Sequence, residues 1–444
     1  MSKVRQILNL NAYQAGDDTS DMATRDALLR RQANFGAASV LFYRDPIEMV
    51  GAQGATMIAR DGTRYLDFYN NVPSVGHTHP KVVAAVQAQI AILNTNTRYL
   101  VEIVDQYLDA LKAHLPDPLS NIALTCSGSE ANDLALRVAR AASGGTGVIV
   151  TDTAYHGNTD LTTRVSPSAL KHRQLDDWVI AIPPPGRQAY GTNISAGFAA
   201  RISEAITTLQ SRGHAPAALL FDSIFSSDGI FADPPGFLHL ACDTMRAAGG
   251  LVIADEVQPG FARTGTNFWG FERHGILPDI VTMGKPMGNG FPMAAMATQP
   301  AHLAAFCKDV GYFNTFGGNP VAAAAGLAVL EVIAEDGLQN NAQKTGALLL
   351  NGLAEIAAKS DRVADVRGAG LFIGVDLVDP MTGVADPAFT LRLIDAMRDE
   401  AILIGAAGKY GATLKIRPPL CLTSAEAERF VTAFDRSLKR AAEG

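Results

Sequence analysis

The sequence predicts an α/β protein with a large domain built on a mostly parallel sheet and a smaller α+β domain. Three observations favour this class. The chain has 444 residues, which is enough for two or three domains. From about residue 100, short apolar runs alternate with helical periods, a pattern typical of a parallel sheet that helices cover on both faces. From about residue 335 the pattern changes to long helices between single strands.

The N-terminal part carries one helix signal and then a hairpin. The runs MIAR and RYLDFY flank Asp61-Gly62, a strong turn dipeptide. We expect residues 1–75 to join the small domain, residues 76–330 to form the large domain, and residues 331–444 to complete the small one.

The apolar runs of the large domain are predicted strands, and helices at 129–142 and 237–248 lie between some of them. In such sheets the ligand binds at the carboxyl ends of the strands. The predicted strands are 121–126, 147–151, 178–182, 217–222, 251–255 and 279–283.

Composition excludes several classes of protein. The net charge of −7 argues against a nucleic-acid partner, which would need a basic face. The longest apolar run, 321–333, is interrupted by Gly and Glu, so we expect a buried helix and no membrane span. The N-terminus does not show the pattern of an export signal. The four cysteines form no C-x-x-C pair, which suggests a reducing, cytoplasmic compartment without disulfides or a zinc site.

Polar residues follow the strand at 121–126 and lead into a helix. Small residues and the positive end of a helix would hold a phosphate well, so Ser127, Gly128 and Ser129 are candidate phosphate ligands. Ser127 with Glu130 could equally be a helix-capping motif.

Two ionisable residues also follow apolar strands. Asp255 closes LVIAD, and a buried carboxylate needs a partner such as a protonated pyridine nitrogen, unless it is a helix cap or half of an internal salt bridge. Lys285 follows DIVTM in a glycine-rich loop, where desolvation would make its amine nucleophilic toward an aldehyde. An ordinary exposed loop lysine is the alternative. A phosphate cradle, a carboxylate and a lysine at strand ends together are what pyridoxal phosphate requires.

Over nearly its whole length the chain resembles the class III aminotransferase family, enzymes of pyridoxal-phosphate fold type I. That fold has a mostly parallel, seven-stranded type of sheet in its large domain. The matching stretches are YLDFYNNVPSVGHTHP, CSGSEANDLALRVAR, AYHGNT, IADEVQPGFARTG, TMGKPMGNGFP and NTFGGNP.

The resemblance implies a role for each matching position. Lys285 would carry pyridoxal 5'-phosphate as a Schiff base and move the proton, Asp255 would pair with the pyridinium nitrogen, and Tyr155 would stack on the ring. Thr315 would reach the phosphate bound by the neighbouring subunit, which implies a homodimer with sites at its interface. His156 is as readily structural as catalytic. The other cofactor-binding positions are Ser127, Gly128, Ser129, Val257 on the second ring face, and Gln258 near the phenolic oxygen.

The positions that would face the substrate depart from the family. Its usual carboxylate-binding Arg is replaced by Lys415 in LKIRPPL, and Arg417 lies two residues further on. The acidic partner of that Arg corresponds to Asp222, and Tyr43 could line the pocket or merely pack. A lysine is a point charge and not a bidentate fork, so the replacement of Arg by Lys changes how a substrate carboxylate would be recognised.

These positions resemble one branch of the family, which includes ethanolamine-phosphate phospho-lyases and alanine–glyoxylate aminotransferase-like proteins. We place an aminotransferase first, moving an amino group from an amine or amino acid to a keto acid. A phospho-lyase that releases phosphate and ammonia from an amino-alcohol phosphate is the alternative. A non-catalytic binding module is a third reading, against which the intact Lys285 and Asp255 weigh heavily.

Overall fold

The computed structural model describes residues 10–13, 22–38, 40–171 and 174–443. Most of the N-terminal residues on which the expectation about an export signal rests lie outside these ranges. No helix of the described residues is long and apolar enough to cross a membrane.

The described strands fall into three sheets. In chain order they are β1 Met49–Gln53, β2 Thr56–Ala59, β3 Arg64–Asp67, β4 Asn121–Thr125, β5 Gly147–Thr151, β6 Val179–Ile182, β7 Pro216–Asp222, β8 Leu251–Asp255, β9 Ile280–Met283, β10 Ala294–Thr298, β11 Val363–Ala369, β12 Phe372–Leu377, β13 Ile402–Leu403, β14 Gly405–Ala407 and β15 Thr413–Ile416.

The α-helices cover and connect these sheets. They are α1 Met22–Phe35, α2 Pro80–Ile90, α3 Glu102–Lys112, α4 Gly128–Ser143, α5 Asp160–Arg164, α6 Arg187–Tyr190, α7 Ile194–Ser211, α8 His239–Ala247, α9 Pro300–Asp309, α10 Pro320–Glu335, α11 Leu338–Ala357, α12 Pro387–Asp399 and α13 Ser424–Glu443.

The central sheet has seven strands in the order β4-β10-β9-β8-β7-β5-β6. All are parallel to one another except β10, which runs antiparallel to both of its neighbours. All six predicted strands lie in this sheet, so the predicted fold class is confirmed. The seventh strand, β10, was missed because its sequence AAMAT has weak strand propensity, although the sheet buries it completely.

Alternate residues of the central strands face two separate helical layers. Leu219 and Val252 pack in the core that includes α7 and α8, whereas Leu220 and Ile253 pack against α4. Both faces are therefore covered, which explains why the strands are almost entirely apolar.

Two smaller sheets complete the fold. The predicted hairpin is present, with β2 antiparallel to β3 and Gly62 at a φ of +87° in the turn. β3 then pairs in parallel with β13, which joins the N-terminal segment to the C-terminal part. The third sheet is antiparallel, with the order β11-β12-β15-β14. The pairing of β3 with β13 supports the domain boundaries expected above, which stay a prediction.

Candidate active site

Asp255 ends β8 and is only 5% exposed. Its Oδ2 accepts hydrogen bonds from His156 Nδ1 at 2.7 Å and from the Asn132 amide at 2.8 Å, while its Oδ1 accepts from the backbone N–H of Val257 at 3.1 Å. Thr282 holds Asn132 in turn, because its hydroxyl donates to the amide oxygen at 2.6 Å. No Lys or Arg of the described residues pairs with this carboxylate, so the alternative of an internal salt bridge to a permanent cation does not hold.

His156 orients the carboxylate from one side of the site. Its Nδ1 lies 2.7 Å from Asp255 Oδ2, and its Nε2 is buried without a partner in the described part of the chain. The backbone N–H of His156 donates to Ser166 Oγ at 2.8 Å, which fixes the loop that carries it. The sequence left open whether His156 is structural or catalytic. In the structure its side chain contacts Asp255.

The start of α4 forms a tight cradle beside Val257. Ser127 caps the helix by accepting a hydrogen bond from the Glu130 N–H at 3.3 Å, so the capping motif exists. A Cβ on Gly128 would lie 2.9 Å from Val257 Cγ2, and Ser129 Oγ accepts from the Asn158 N–H at 3.2 Å. Capping and phosphate binding are thus compatible, because the helix end keeps its positive potential.

Lys285 lies against this cradle. A Cβ on the preceding Gly284 would lie 3.4 Å from the Gly128 Cα, so the two loops touch. The pKa of Lys285 is lowered by burial and by the positive charge of Arg417, and the negative charges of Asp255 and Asp222 oppose this shift only in part. A lysine with a lowered pKa offers a larger fraction of neutral, nucleophilic amine.

Tyr155 is placed by the loop that follows β5. The ring is partly buried, which raises the pKa of its hydroxyl. Gly157, two residues on, lies so close to α4 that a Cβ there would be 2.8 Å from the Ser129 Cα, and its φ of +139° favours glycine. The contact brings the Tyr155–His156 pair to the edge of the cradle.

Gln258 and Arg417 form a buried network between the domains. Arg417 Nη1 donates to Gln258 Oε1 at 2.7 Å and to Asn71 Oδ1 at 3.3 Å, and its guanidinium lies over the Tyr69 ring at 4.7 Å. Gln258 Nε2 donates to Ser226 Oγ at 2.6 Å. Both the oxygen and the nitrogen of the Gln258 side-chain amide therefore have protein partners.

Lys415 lies in β15 and is only 4% exposed. Its strand neighbours are Gly374 on β12 and Gly405 on β14, and its ammonium lies 5.5 Å from the Phe372 ring centroid. The described residues provide it with no hydrogen bond or ion pair. Burial, and next the charge of Arg417, lower its pKa well below the ordinary value of lysine, while Asp222 acts in the opposite direction.

Asp222, which corresponds to the acidic partner of the family's Arg, makes its hydrogen bonds within its own loop. The chain turns sharply after β7, so Asp222 Oδ1 accepts the N–H of Ile224 at 3.0 Å and Oδ2 that of Ser226 at 3.1 Å. The carboxylate is used by its own loop, and it influences Lys415 only through space.

Two other predicted residues, Tyr43 and Thr315, take no part in the contacts described above. Tyr43 is 7% exposed, and its hydroxyl donates to the Ile404 carbonyl at 3.2 Å, which favours a packing role over a place in the pocket. Thr315 is exposed on the surface of the single chain, and it makes none of the contacts of the site.

Residues of the site that the sequence did not indicate are Asn132, Asn71 and Ser226. Each is a buried or half-buried polar side chain whose partner is distant in sequence. A polar residue on the apolar face of α4 was the one available signal for Asn132.

The cluster fits pyridoxal phosphate. The Gly128 backbone lies so close to Val257 that no Cβ would fit between them, and the helix end beside it suits a phosphate. Asp255 offers a carboxylate oxygen to a protonated ring nitrogen, and Lys285 is a desolvated amine without a hydrogen-bond partner in the described chain. The cofactor supplies an electron sink next to the substrate's amine, and the protein orients and protonates it.

Comparisons with known proteins agree with this geometry. The model of the family "Aminotransferase class-III" matches residues 43–438. The chain is 39% identical to an Arabidopsis thaliana protein named alanine–glyoxylate aminotransferase 2 homolog 2, mitochondrial, over 94% of this chain and 88% of the relative. It is 36% identical to a Caenorhabditis elegans protein named ethanolamine-phosphate phospho-lyase homolog 1, over 95% of each.

A solved structure is also similar over almost the whole length. A phospholyase from Arthrobacter in complex with phosphoethanolamine superposes with a TM-score of 0.90 and 41% identity, covering 93% of this chain and 99% of that one. The predicted recognition, enzyme class and cofactor are confirmed: the chain belongs to the class III aminotransferase family of pyridoxal-phosphate enzymes.

Proposed function

We propose that the protein is a phospho-lyase that acts on a small amino-alcohol phosphate of the phosphoethanolamine type. A proton leaves the carbon that bears the amine, the C–O bond to phosphate breaks, and inorganic phosphate departs. The unsaturated amine left over takes up water and gives an aldehyde and ammonia, so the reaction needs no second substrate besides water.

The observation that carries this proposal is the unpaired cation Lys415. Burial lowers the pKa of this lysine well below the ordinary value, and a bound anion would favour the charged ammonium again. Both flanking glycines are closely packed: a Cβ on Gly374 would lie 3.1 Å from the Gly229 carbonyl oxygen, and a Cβ on Gly405 would lie 2.8 Å from the Tyr69 ring. The charge of Lys285 contributes to the lowered pKa of Lys415, which supports an anion site near the reacting amine.

Phosphate suits this site better than a carboxylate does. A carboxylate is best held by the planar fork of an Arg, which the family has at this position, whereas a compact ammonium serves well for a phosphate. The Arg that remains, Arg417, already donates to Gln258 and Asn71. The similar Arthrobacter structure, which binds phosphoethanolamine, supports the same choice.

The remaining residues are proposed in the roles that their positions allow. Lys285 would bind the cofactor and move the proton, and Asp255 would keep the ring nitrogen protonated with the support of His156. The cofactor's phosphate would be held by Ser127, Gly128 and Ser129, and its ring by Tyr155, Val257 and Gln258.

We also propose a homodimer in which Thr315 serves the neighbouring site. Large apolar side chains are exposed next to Thr315, among them Leu100 at 97% and Phe316 at 70%. Exposed apolar patches of this kind are typical of interfaces. Leu100 and Phe313 line one surface cavity, which shows that the segments around residues 100 and 313 adjoin.

Amino transfer remains the second candidate, because relatives of similar identity carry aminotransferase names. Lys415 would then hold the carboxylate of a keto-acid acceptor. A cytoplasmic location is likewise a proposal, supported by the absence of any disulfide among the four cysteines.

Product analysis separates the two reactions. Wild type incubated with phosphoethanolamine should release phosphate and ammonia in equal amounts without a keto acid. Lys415→Met should lose this activity by about a hundredfold or more in kcat/KM, because one buried charge contact is lost. Lys409→Met is the matched control, since Lys409 lies on the same part of the chain, is exposed and pairs with Asp152. Turnover that depends on pyruvate or glyoxylate, with no phosphate release, would establish the second candidate instead.

A further inference from the structure

A loop at residues 222–230, here called the acidic loop, follows β7 and carries Asp222 and Asp228. Asp228 is buried, and its carboxylate accepts hydrogen bonds from the Thr151 hydroxyl at 2.7 Å and from the Thr153 hydroxyl at 2.7 Å. Both acidic side chains act through space on Lys415. A Cβ on Gly374, the strand partner of Lys415, would lie 3.1 Å from the Gly229 carbonyl oxygen, so the acidic loop packs against the sheet beside the proposed phosphate-binding lysine.

Arg367 of β11 holds the far end of the acidic loop. Its Nε donates to the Ile230 carbonyl at 2.7 Å, and its Nη2 donates to the Gly229 carbonyl at 2.5 Å. The other side of the guanidinium is fixed by Asp376 of β12, which accepts from Nη1 at 2.6 Å and from Nη2 at 3.0 Å. The plane also lies over the Phe231 ring at 4.7 Å.

The acidic loop needs such support because its backbone is strained. Phe225 and Ile230 have φ values of +51° and +65°, in a region that residues other than glycine rarely adopt. Strained conformations persist only where the surroundings fix them. Besides Asp228 with its threonines, the contacts of Arg367 hold the loop, together with a hydrogen bond from the Gly408 N–H to the Ser227 carbonyl at 3.1 Å. On the side of the large sheet, Gln258 donates to Ser226 Oγ, and Ser223 bonds Glu256 and His274.

Arg367 and Lys415 belong to the same antiparallel sheet. β12 lies between β11 and β15, and Asp376 also accepts a hydrogen bond from the Thr413 hydroxyl of β15 at 2.5 Å. One carboxylate thus links the strand of Lys415 to the arginine that holds the acidic loop. The distance between the lysine and the loop is set by this link.

We propose that Arg367 is a positioning residue that holds the acidic loop at a set distance from Lys415 and so determines how the anionic end of the substrate is bound. The identity of that anion as phosphate rests on the proposed function, whereas the contacts of Arg367 with the acidic loop do not. Five simultaneous hydrogen bonds, to two carbonyls and to the carboxylates of Asp365 and Asp376, require the planar fork of an arginine, which lysine cannot replace.

The test compares Arg367→Lys and Arg367→Met with Arg362→Met. Arg362 is the matched control, because it belongs to the same domain, pairs with Asp386 and lies over the Phe389 ring, but has no contact with the acidic loop. Both Arg367 variants should raise the KM for phosphoethanolamine by roughly ten- to a hundredfold, since small misplacements of a binding group cost about that much. The rate at which a simple amine without an anionic group changes the cofactor's absorbance should stay within about twofold.

A second readout does not depend on the loaded enzyme. Hydrogen exchange of the Asp228, Ile230 and Phe231 amides, which are bonded within the loop, should become faster in the Arg367 variants of the cofactor-free protein and stay unchanged in Arg362→Met. Asp376→Asn should give a smaller change of the same sign, and its effect should not add to that of Arg367→Lys.

The outcomes separate this inference from the proposed function. If wild type releases no phosphate, the proposed function fails, and the same comparison is made with the KM of a keto-acid acceptor in place of phosphoethanolamine. Equal losses toward anionic and neutral amines, or unchanged exchange in the acidic loop, would overturn the positioning role under either chemistry.

Discussion

At the scale of single residues, the site is made of ionisable groups that burial has moved away from their usual behaviour. Lys285 and Lys415 are both desolvated amines with a lowered pKa, yet they differ in position: one follows a strand of the central sheet, and the other lies within the small sheet. The first is placed to react, and the second to attract charge. The function proposed above depends on this division.

Lys285 should be the residue that binds the cofactor covalently. After borohydride reduction of the holoenzyme, mass spectrometry of peptides should place the cofactor on Lys285, and Lys285→Ala should retain no fixed cofactor. Its turnover should fall by at least about 10³-fold, because the proton-transfer group is lost as well. Lys308→Ala, on the exposed side of α9, should behave as wild type. A fully active Lys285→Ala would refute the assignment of the site.

Asp255→Asn should keep the cofactor but lose catalysis by more than about a hundredfold, since an amide cannot hold a proton on the ring nitrogen. The substituted amide oxygen can still accept from His156 and Asn132, so the fold of the site should survive. The measurement is cofactor content by absorbance together with turnover. Wild-type turnover in this variant would show that the carboxylate is only structural.

Glu256 gives a pH dependence of stability. Burial raises its pKa to about 8, and the hydrogen bonds from the Ser223 hydroxyl and from the N–H groups of Gly270 and Phe271 offset this rise only in part. The folded state then binds one proton more than the unfolded state between about pH 4.3 and 8, so the free energy of unfolding should fall by up to about 1.4 kcal/mol per pH unit as pH rises through this range.

Glu256→Gln should remove this slope. Urea unfolding at about pH 5 and about pH 7.5 would show a larger loss of stability with pH in wild type than in the variant. Glu355→Gln, on the exposed side of α11, is the control. Identical slopes in wild type and Glu256→Gln would mean that the carboxyl group is ionised in the folded protein.

At the scale of elements, the parallel strands bring the reacting groups together, and α4 provides an end with positive potential. Asp222, Asp255 and Thr282 lie side by side at the ends of β7, β8 and β9. Because the carboxyl ends of parallel strands lie at one edge, residues far apart in sequence become neighbours there.

The N-terminus of α4 should serve both stability and cofactor binding. Ser127→Ala removes the helix cap and should cost about 1 kcal/mol of folding stability. It should also weaken the retention of pyridoxal phosphate. Asn193→Ala removes the equivalent cap from α7, far from the cradle, and should cost similar stability with no change in cofactor retention. Melting temperatures and equilibrium dialysis of the cofactor distinguish the two effects, and equal retention in both variants would contradict the proposed cradle.

At the scale of the whole molecule, the site lies where the two ends of the chain meet the central sheet. Arg417 of the C-terminal part contacts Gln258 of the large domain and Asn71 of the N-terminal part. The three parts must therefore assemble before the site exists. In the homodimer proposed above, the exposed apolar patch beside Thr315 would extend this requirement to a second copy of the chain.

Leu100→Glu should disrupt the proposed homodimer, since it places a charge in the most exposed apolar residue of the patch. Sedimentation should then show monomers with poor cofactor retention. Leu240→Glu is the control, because Leu240 is 49% exposed but lies on α8 and not among the residues of the patch. A wild-type protein that sediments as a cofactor-loaded monomer would rule out this assembly.

The sequence by itself determined the fold class and the chemistry of the cofactor site. Apolar strands ending in Asp255 and before Lys285, and a small-residue turn ending in Ser129, were visible as local patterns, since strand period and helix capping depend on near neighbours. The sequence did not reveal β10, because burial in the sheet outweighs the weak strand propensity of the residues in β10.

Only the tertiary structure decided which charges have partners. Asp222 faces its own loop, Lys415 lies between two glycines without a partner in the described chain, and Arg367 holds a loop 137 residues away in sequence. These contacts depend on the register of strands that are far apart along the chain, and no local pattern encodes that register. The cofactor could therefore be named from the sequence, whereas the anion that the site binds had to be inferred from the packing around Lys415.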